Sequence, residues 1–231
     1  MVTPGRPGGV LDELEPENVS LALSRMGLSY VVLTSVDRDD LPDGGASHLA
    51  KTVRLVKERM PGLLVEILIP DFQNDLDALR TIVDSRPDVI AHNIETTLSL
   101  TSKVRDPRAS YWQSLSVLKN IKKLNCRVYS KSSIMVGLGE NEEEVSQAMV
   151  HLRNAGVDFL TVGQYLRPSK RHLRVEEYIS LEQFERYRQI GVSLGFRYVA
   201  SGPLVRSSYR AGEFYIRSVI KSDNLSGDIP A

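Results

Sequence analysis

Cysteine is almost absent from this sequence, because Cys126 is the only one among its 231 residues. A single thiol excludes an intrachain disulfide. Cys126 falls between a predicted helix and a predicted strand. Since a free cysteine usually behaves as a small buried hydrophobe, we expect its side chain to be buried.

The sequence also lacks an excess of charge and a long apolar run. Its 29 basic and 29 acidic residues balance, so nothing global indicates a nucleic-acid partner. No run of about 18 apolar residues predicts a membrane-spanning helix. The first nine residues, MVTPGRPGG, lack the apolar segment of a secretory signal and the amphipathic helix of a transit peptide. We therefore predict a protein that is not secreted and has no membrane partner.

Six apolar runs rich in β-forming residues alternate with amphipathic segments. With 42% hydrophobic residues, the chain is able to form one sizeable core. The predicted strands are Ser29–Ser35, Leu63–Ile69, Asp88–Thr96, Arg127–Val136, Asp158–Tyr165 and Phe196–Ala200. The predicted helices are Glu15–Met26, one ending at Met60, Asp75–Val83, Tyr111–Leu124, Glu142–Ala155 and Ser180–Leu194. Ser180 and Gln183 suit a capping box at the start of the last of these helices.

Regular alternation of strand and helix indicates an α/β fold with a parallel sheet and right-handed crossovers. No Gly-x-Gly-x-x-Gly turn follows the first strand, so a partial or complete barrel fits better than an open dinucleotide-binding sheet. The expected organisation is an N-terminal loop over residues 1–14, a core over residues 15–222 and a polar tail over residues 223–231.

Polar residues follow each predicted strand where the strand ends. The carboxyl ends of parallel strands meet at one edge of a barrel, and this edge carries the functional site in such folds. No residue in the set is specific by itself; His92, for example, is more often a hydrogen-bonded structural histidine than a ligand. Together they suit a polar, zwitterionic ligand. The set comprises Thr34, Ser35, Asp37–Asp40, Asp71, His92, Asn93, Glu95, Thr96, Lys131–Ser133, Gln164, Tyr165 and Arg206–Ser208.

The segment after the last strand, Ser201–Gly212, allows two interpretations. It presents Arg206, Ser207 and Ser208 just before a predicted helix. Serine is a favoured helix N-cap, so these residues suit a cap and a surface arginine. On spacing alone this interpretation is favoured, and the alternative is a functional site at the carboxyl end of a strand.

Several sequence blocks occur together and in one order. The blocks are TSVDRDDLPDGG (34–45), HNIET (92–96), VRDPRA (104–109), KSSIMVGLGE (131–140), GQYLRPS (163–169) and GPLVRSSY (202–209). With these blocks the chain resembles the lipoyl synthase family of radical S-adenosylmethionine enzymes, and the resemblance extends from about Glu15 to about Ser222.

This resemblance implies a partial (β/α)6, TIM-like barrel of the radical SAM type, with residues 15–222 forming the core and a C-terminal cap. It implies a sulfurtransferase of lipoate biosynthesis, which inserts two sulfur atoms at C6 and C8 of a protein-bound octanoyl-lysine. The implied protein substrates are octanoylated lipoyl domains or the glycine cleavage H protein. The implied electron donor is a reductant such as ferredoxin or flavodoxin.

The resemblance further implies S-adenosylmethionine and two 4Fe-4S clusters as cofactors. One cluster is held by three cysteines, and the second by three more cysteines and a serine. That serine corresponds to Ser208, or alternatively to Ser207. Arg206 would steady this second cluster or the substrate. Because carboxylates suit the amine and ribose of S-adenosylmethionine and basic groups suit its carboxylate, its implied pocket holds Ser35, Asp37, Asn93, Glu95 and Lys131.

The chain departs from the family because all six cluster cysteines are absent, and one thiol does not replace about four. We therefore expect an N-terminally truncated member that lacks the first barrel strand and does not turn over. Two alternatives remain at this stage: a non-catalytic homologue that binds lipoyl-domain proteins, and a β/α-barrel enzyme that needs no metal. The sequence leaves mitochondrion, plastid and bacterial cytoplasm open as compartments.

The densest basic segment, Leu166–Arg174, also has two interpretations. It suits a solvated loop. It equally suits a docking surface for an acidic lipoyl domain, because long-range attraction speeds encounter.

Overall fold

The computed structural model describes residues 11–206, 216–220 and 222–223, and these residues form a single sheet with flanking helices. The strands are β1 (Tyr30–Thr34), β2 (Leu64–Leu68), β3 (Val89–Ala91), β4 (Tyr129–Val136), β5 (Phe159–Gln164) and β6 (Tyr198–Gly202). The helices are α1 (Glu15–Ser24), α2 (Ala46–Arg59), α3 (Leu76–Val83), α4 (Thr101–Val104), α5 (Tyr111–Leu124), α6 (Glu142–Asn154) and α7 (Leu181–Ser193). A 3-10 turn covers Phe72–Asn74, and residues 216–220 and 222–223 are helical.

All six strands are parallel and follow chain order in the sheet. This arrangement confirms the predicted α/β fold of partial-barrel type. Within the described residues, hydrogen bonds do not close β1 onto β6, so both remain edge strands. Because all six strands are parallel, their carboxyl ends lie at the same edge of the sheet.

Alternate residues of each strand point to opposite faces of the sheet, and each face has its own core. The helix-covered face carries residues such as Val31, Val65 and Ile134, which join the helices in the larger core. The inner face carries the first residues of strands, including Tyr129 and Phe159. Strands buried on both faces explain why their sequences are nearly continuous apolar runs.

The C-terminal helical residues close the amino end of the inner face. Ile216 and Ile220 are both 2% exposed and pack against the apolar ring at the strand starts. Tyr129 donates its hydroxyl proton to Asp223, which anchors the same segment. With this end filled by side chains, the open space of the fold lies at the carboxyl ends of the strands.

A buried ion pair lies on the inner face between two strands that are not neighbours. The Lys131 ammonium nitrogen on β4 lies 2.7 Å and 3.0 Å from the two carboxylate oxygens of Glu66 on β2. The two residues are 4% and 1% exposed. Tyr30 on β1 donates its hydroxyl proton to the same carboxylate. Three strands are thus linked through one desolvated carboxylate.

Two local expectations are corrected by the structure, and one short helix was missed. Cys126 is exposed, because it lies in the turn before β4 while Val128 and Tyr129 take the buried positions. Ser180 does cap α7 by accepting from the Gln183 backbone N–H, but no capping box forms, because the Gln183 amide oxygen accepts from Arg186 instead of from the Ser180 backbone N–H. The short helix α4 was not predicted.

The predicted strand Asp88–Thr96 is shorter than expected and ends at Ala91. Beyond it the chain stays beside β4 but becomes irregular, because Glu95 has a φ of 67°.

In the described part of the chain, no helix has the length and apolar character needed to cross a bilayer. The predicted tail is described only at Asp223.

Replacing Lys131 by Met is expected to lower the free energy of unfolding by about 3–5 kcal/mol, because it leaves the Glu66 carboxylate buried without its counter-charge. Urea unfolding followed by circular dichroism measures this change. The double variant Glu66→Gln, Lys131→Met removes both charges and keeps an acceptor for Tyr30, so it should recover most of the loss. A single variant as stable as the unsubstituted chain would contradict this role of the pair.

Candidate functional site

Two neighbouring cavities lined by described residues open at the carboxyl ends of the strands. The first, of about 550 Å3, lies beyond β1–β3 and is here called the polar cavity. The second, of about 400 Å3, lies beyond β4–β6 and is called the apolar cavity because Val104, Met135, Tyr165, Leu166, Leu173 and Val205 dominate its wall. Asn93 and Glu95 line both cavities, so they form the junction between them.

The structure brings most of the predicted site residues to this edge. Ser35 and Asp37 line the polar cavity, while Arg206 lines the apolar cavity. Lys131 is not among the lining residues of either, because its side chain points along the inner face to Glu66. The predicted cluster ligand Ser208 and its alternative Ser207 lie outside the described residues.

Glu95 is held at the junction by its own backbone. Its N–H donates to the Ser133 carbonyl at 3.2 Å, and its carbonyl accepts from the Met135 N–H at 2.8 Å. This pairing with β4 maintains the positive φ of 67°, which a non-glycine residue adopts only when its surroundings impose it. Burial raises the pKa of Glu95, while the Asn93 side chain and the charge of Arg105 lower it.

Carboxylates dominate the rest of the polar cavity. Burial raises the pKa of Asp37, and the neighbouring charges of Asp39 and Asp71 raise it further. Asp71 is fixed by the 2.8 Å hydrogen bond that it accepts from the Gln113 amide. An acidic wall of this kind favours a ligand that carries positive charge.

Arg108 connects two loops at the mouth of the polar cavity. It donates to Asp39, which follows β1, at 3.0 Å and to Asp106, which follows α4, at 2.9 Å. Hydrogen bonds from Arg108 hold the pKa of Asp106 at about 2. Arg108 is largely exposed, so screening by solvent limits what this network adds to stability.

A largely buried hydrogen-bond chain starts at the wall of the polar cavity, which His92 and Arg105 both line. His92 Nδ1 lies 3.0 Å from the Ile69 carbonyl oxygen, and His92 Nε2 lies 2.9 Å from Ser114 Oγ. Arg105 donates from Nη1 to the same serine oxygen at 2.9 Å. Burial lowers the pKa of His92 and that of Arg105. The wall of the polar cavity therefore holds a fixed imidazole and an arginine that share one serine hydroxyl.

The loop after β5 forms the outer wall of the apolar cavity. The Tyr165 hydroxyl donates to the Leu173 carbonyl at 3.0 Å, and the Gln164 amide donates to the Glu177 carbonyl at 3.0 Å. These bonds fix both ends of the basic loop Leu166–Arg174. The aromatic and aliphatic wall with few buried charges suits a flat, weakly polar group.

Sequence reasoning missed Arg105, Arg108 and Gln113 as lining residues. The first two belong to the VRDPRA block, whose dense charge in a short connection was the available signal. Gln113 belongs to the first turn of α5 and resembles an ordinary helix residue. His92 and Asp71 were recognised as edge residues, but no role could be assigned to them without their partners.

The residues present do not fit an iron–sulfur cluster. No group of three or more His, Cys, Asp or Glu side chains among the described residues is arranged to hold a metal ion. The single cysteine, Cys126, enters β4 and therefore lies at the amino end of the sheet, opposite to both cavities. A thiolate set for a cluster at the cavities is not contained in this sequence.

Comparison with known proteins gives a consistent result. A model of the radical SAM superfamily matches residues 3–152. Lipoyl synthase from Thermus thermophilus is 58% identical over 214 residues, which is 93% of this chain and 66% of that protein. Mitochondrial lipoyl synthase from Homo sapiens is 58% identical over 210 residues, which is 91% of this chain and 56% of that protein. Chloroplastic lipoyl synthase 1 from Oryza sativa is also 58% identical, over 212 residues, which is 92% of this chain and 57% of that protein.

The solved structures show the same fold at much lower identity. Methylornithine synthase has a TM-score of 0.61 with 17% identity, and the alignment covers 96% of this chain and 74% of that structure. At this identity the likeness concerns the fold alone. The chain spans little more than half the length of the human relative.

Replacing Gly163 by Ala should displace the segment that carries Arg206. An added Cβ would lie 2.3 Å from the Val205 carbonyl oxygen, so that segment must move away from β5. We expect a loss of about 1–3 kcal/mol in the free energy of unfolding and faster trypsin cleavage after Arg206. Gly62→Ala is the control, because nothing lies within 4 Å of its added Cβ. Equal cleavage rates in both variants would contradict this packing.

Proposed function

This chain belongs to the radical SAM superfamily, and we propose that it serves lipoyl synthesis, the insertion of two sulfur atoms at C6 and C8 of a protein-bound octanoyl-lysine. The relatives' identity of 58% over nearly the whole chain supports the substrate class. For this reaction the proposed enzyme class is a sulfurtransferase that uses S-adenosylmethionine.

One observation carries the proposal on the structural side: a polar cavity meets an apolar cavity at Asn93 and Glu95. S-adenosylmethionine has the same division, with a charged methionyl sulfonium at one end, a ribose in the middle and a flat adenine at the other. The acidic wall matches the ammonium and sulfonium charges. The apolar wall matches the adenine.

Individual roles follow from this orientation. Ser35 and Asp37 face the ammonium group in the polar cavity, because a hydroxyl and a carboxylate both accept its hydrogen bonds. At the junction, the Glu95 carboxylate accepts hydrogen bonds from the ribose hydroxyls, and the Asn93 amide donates to them. Arg206 contacts the substrate at the far wall of the apolar cavity. Lys131 has no part in this assignment, because its ammonium group already binds Glu66.

The superfamily implies iron–sulfur chemistry, which the residues of this chain do not supply by themselves. Its only cysteine lies at the wrong end of the sheet, so the cluster thiolates must come from another segment. Ser208, with Ser207 as the alternative, remains the proposed oxygen ligand contributed from this chain. A chain of this sequence alone is therefore expected to bind S-adenosylmethionine without turning it over.

Activity is testable in a chimera that places the preceding segment of the Thermus thermophilus relative ahead of this chain. We expect the reconstituted chimera to convert an octanoylated lipoyl domain, whose mass rises by two sulfur atoms less two hydrogens. Glu95→Gln should reduce the rate by about tenfold or more, because a neutral amide binds the ribose hydroxyls less well than a carboxylate. No product from the chimera, while the intact relative is active beside it, would count against the proposal.

The basic loop is proposed as the docking surface for the acidic carrier, either an octanoylated lipoyl domain or the glycine cleavage H protein. Arg167, Lys170 and Arg171 are exposed, and the loop also borders the apolar cavity through Leu166 and Leu173. Internal bonds hold its shape, such as the 2.9 Å contact from Arg167 Nε to the His172 carbonyl. A reductant such as ferredoxin or flavodoxin is the proposed electron donor.

Reversing the charge of this loop with Lys170→Glu and Arg171→Glu in the chimera should slow lipoylation more at low salt than at high salt. The reason is that added ions screen long-range attraction between the loop and the carrier. The initial rate at several salt concentrations is the measurement. The matched control is Lys119→Glu with Lys123→Glu, which reverses two exposed charges on α5. A loss that does not depend on salt would exclude electrostatic docking.

A further inference from the structure

We propose that Ser114 and His92 are positioning residues. They hold the Arg105 guanidinium in the wall of the polar cavity, which Glu95 also lines, so that its positive charge favours Glu95 as the acceptor for the ribose hydroxyls. This inference rests on the function proposed above and assigns a purpose to a hydrogen-bond chain that runs from the wall of the polar cavity to the buried Ser114.

The hydrogen-bond chain has one chemically consistent direction. A carbonyl oxygen only accepts, so His92 Nδ1 must donate to the Ile69 carbonyl. Burial disfavours the protonated imidazole, and His92 is 4% exposed. The Nε2 atom of the neutral ring is then an acceptor, and it receives the proton of the Ser114 hydroxyl. The tautomer of His92 is thereby fixed by the backbone of β2's exit loop.

Ser114 links the fixed imidazole of His92 to Arg105. Since its proton is directed at His92, its oxygen lone pairs face the Arg105 Nη1 donor at 2.9 Å. Ser114 is 0% exposed and lies within the first turns of α5. Serine in a helix commonly bonds to its own backbone, but here its hydroxyl joins two other side chains. The serine is therefore used as a connector between His92 and Arg105.

Arg105 acts on the junction from this position. It lines the polar cavity with Glu95 and Asp71, and its charge lowers the pKa of Glu95 against the opposing effect of burial. Asp71 and Glu95 in turn stabilise the partly desolvated guanidinium. Because both residues line one cavity, the guanidinium charge favours the carboxylate form of Glu95, which is the stronger acceptor for two hydroxyl groups. Displacing Arg105 would weaken that acceptor while leaving Glu95 itself in place.

The test measures binding of S-adenosylmethionine to the full 231-residue chain by calorimetry. Ser114→Ala is expected to weaken the affinity about five- to tenfold, since it removes the hydroxyl that orients Arg105. Ser116→Ala, two residues further on the same helix, is the matched control and should bind like the unsubstituted chain. If Ser114→Ala does not fold, Ser114→Cys replaces it, because the thiol keeps the shape but is a poor hydrogen-bond partner.

A double-mutant cycle separates positioning from a general structural role. In an Arg105→Gln background, Ser114→Ala should cause no further loss of affinity, because the residue it positions is gone. Equal losses in both backgrounds, or an unchanged affinity for Ser114→Ala alone, would overturn the inference and leave the proposed function standing. Failure of the unsubstituted chain to bind S-adenosylmethionine would overturn both.

Discussion

The backbone pairing of Glu95 with β4 is the constraint on which the site depends. Two hydrogen bonds to Ser133 and Met135 hold the residue in a left-handed conformation beyond the end of β3. A regular strand would have continued the alternation of side chains, and the carboxylate would have taken a different direction. The irregular backbone instead places one buried carboxylate between a charged cavity and an apolar one. The proposed orientation of the ligand follows from this placement.

The two ends of the sheet have different tasks. At the amino end, aromatic side chains such as Tyr129 and Phe159 pack against Ile216 and Ile220, so this end is filled. Between the ends, Glu66 and Lys131 neutralise each other on the inner face. At the carboxyl end, charges are left facing open space. The packing and the ion pair that stabilise the inner face thus lie on the amino-terminal side of the cavities, and the polar groups at the cavity mouth are left for binding.

Much of the fold was predictable, because strands covered on both faces are nearly continuous apolar runs and the helices between them are amphipathic. The edge residues Ser35, Asp37, Asn93 and Glu95 were predictable for a related reason: polar residues directly after a buried parallel strand meet at one edge. Lys131 was not placed correctly by this rule. It lies early in β4, and its partner Glu66 is 65 positions away, so only the folded sheet reveals the ion pair.

The hydrogen-bond chain was beyond sequence reasoning for the same physical cause. His92, Ser114 and Arg105 come from three separate segments, and no spacing rule connects them. Cys126 shows the opposite error, since a general tendency for cysteine burial was outweighed by its position in a turn. The rival enzyme class without metal is not favoured, because the sequence relatives are lipoyl synthases.

The most direct measurement is a crystal structure of this chain with S-adenosylmethionine bound. The account predicts the adenine against Met135 and Tyr165, the ribose hydroxyls at Glu95, and the methionyl group toward Asp37. A ligand in the reverse orientation, or one bound away from the junction of the two cavities, would contradict it.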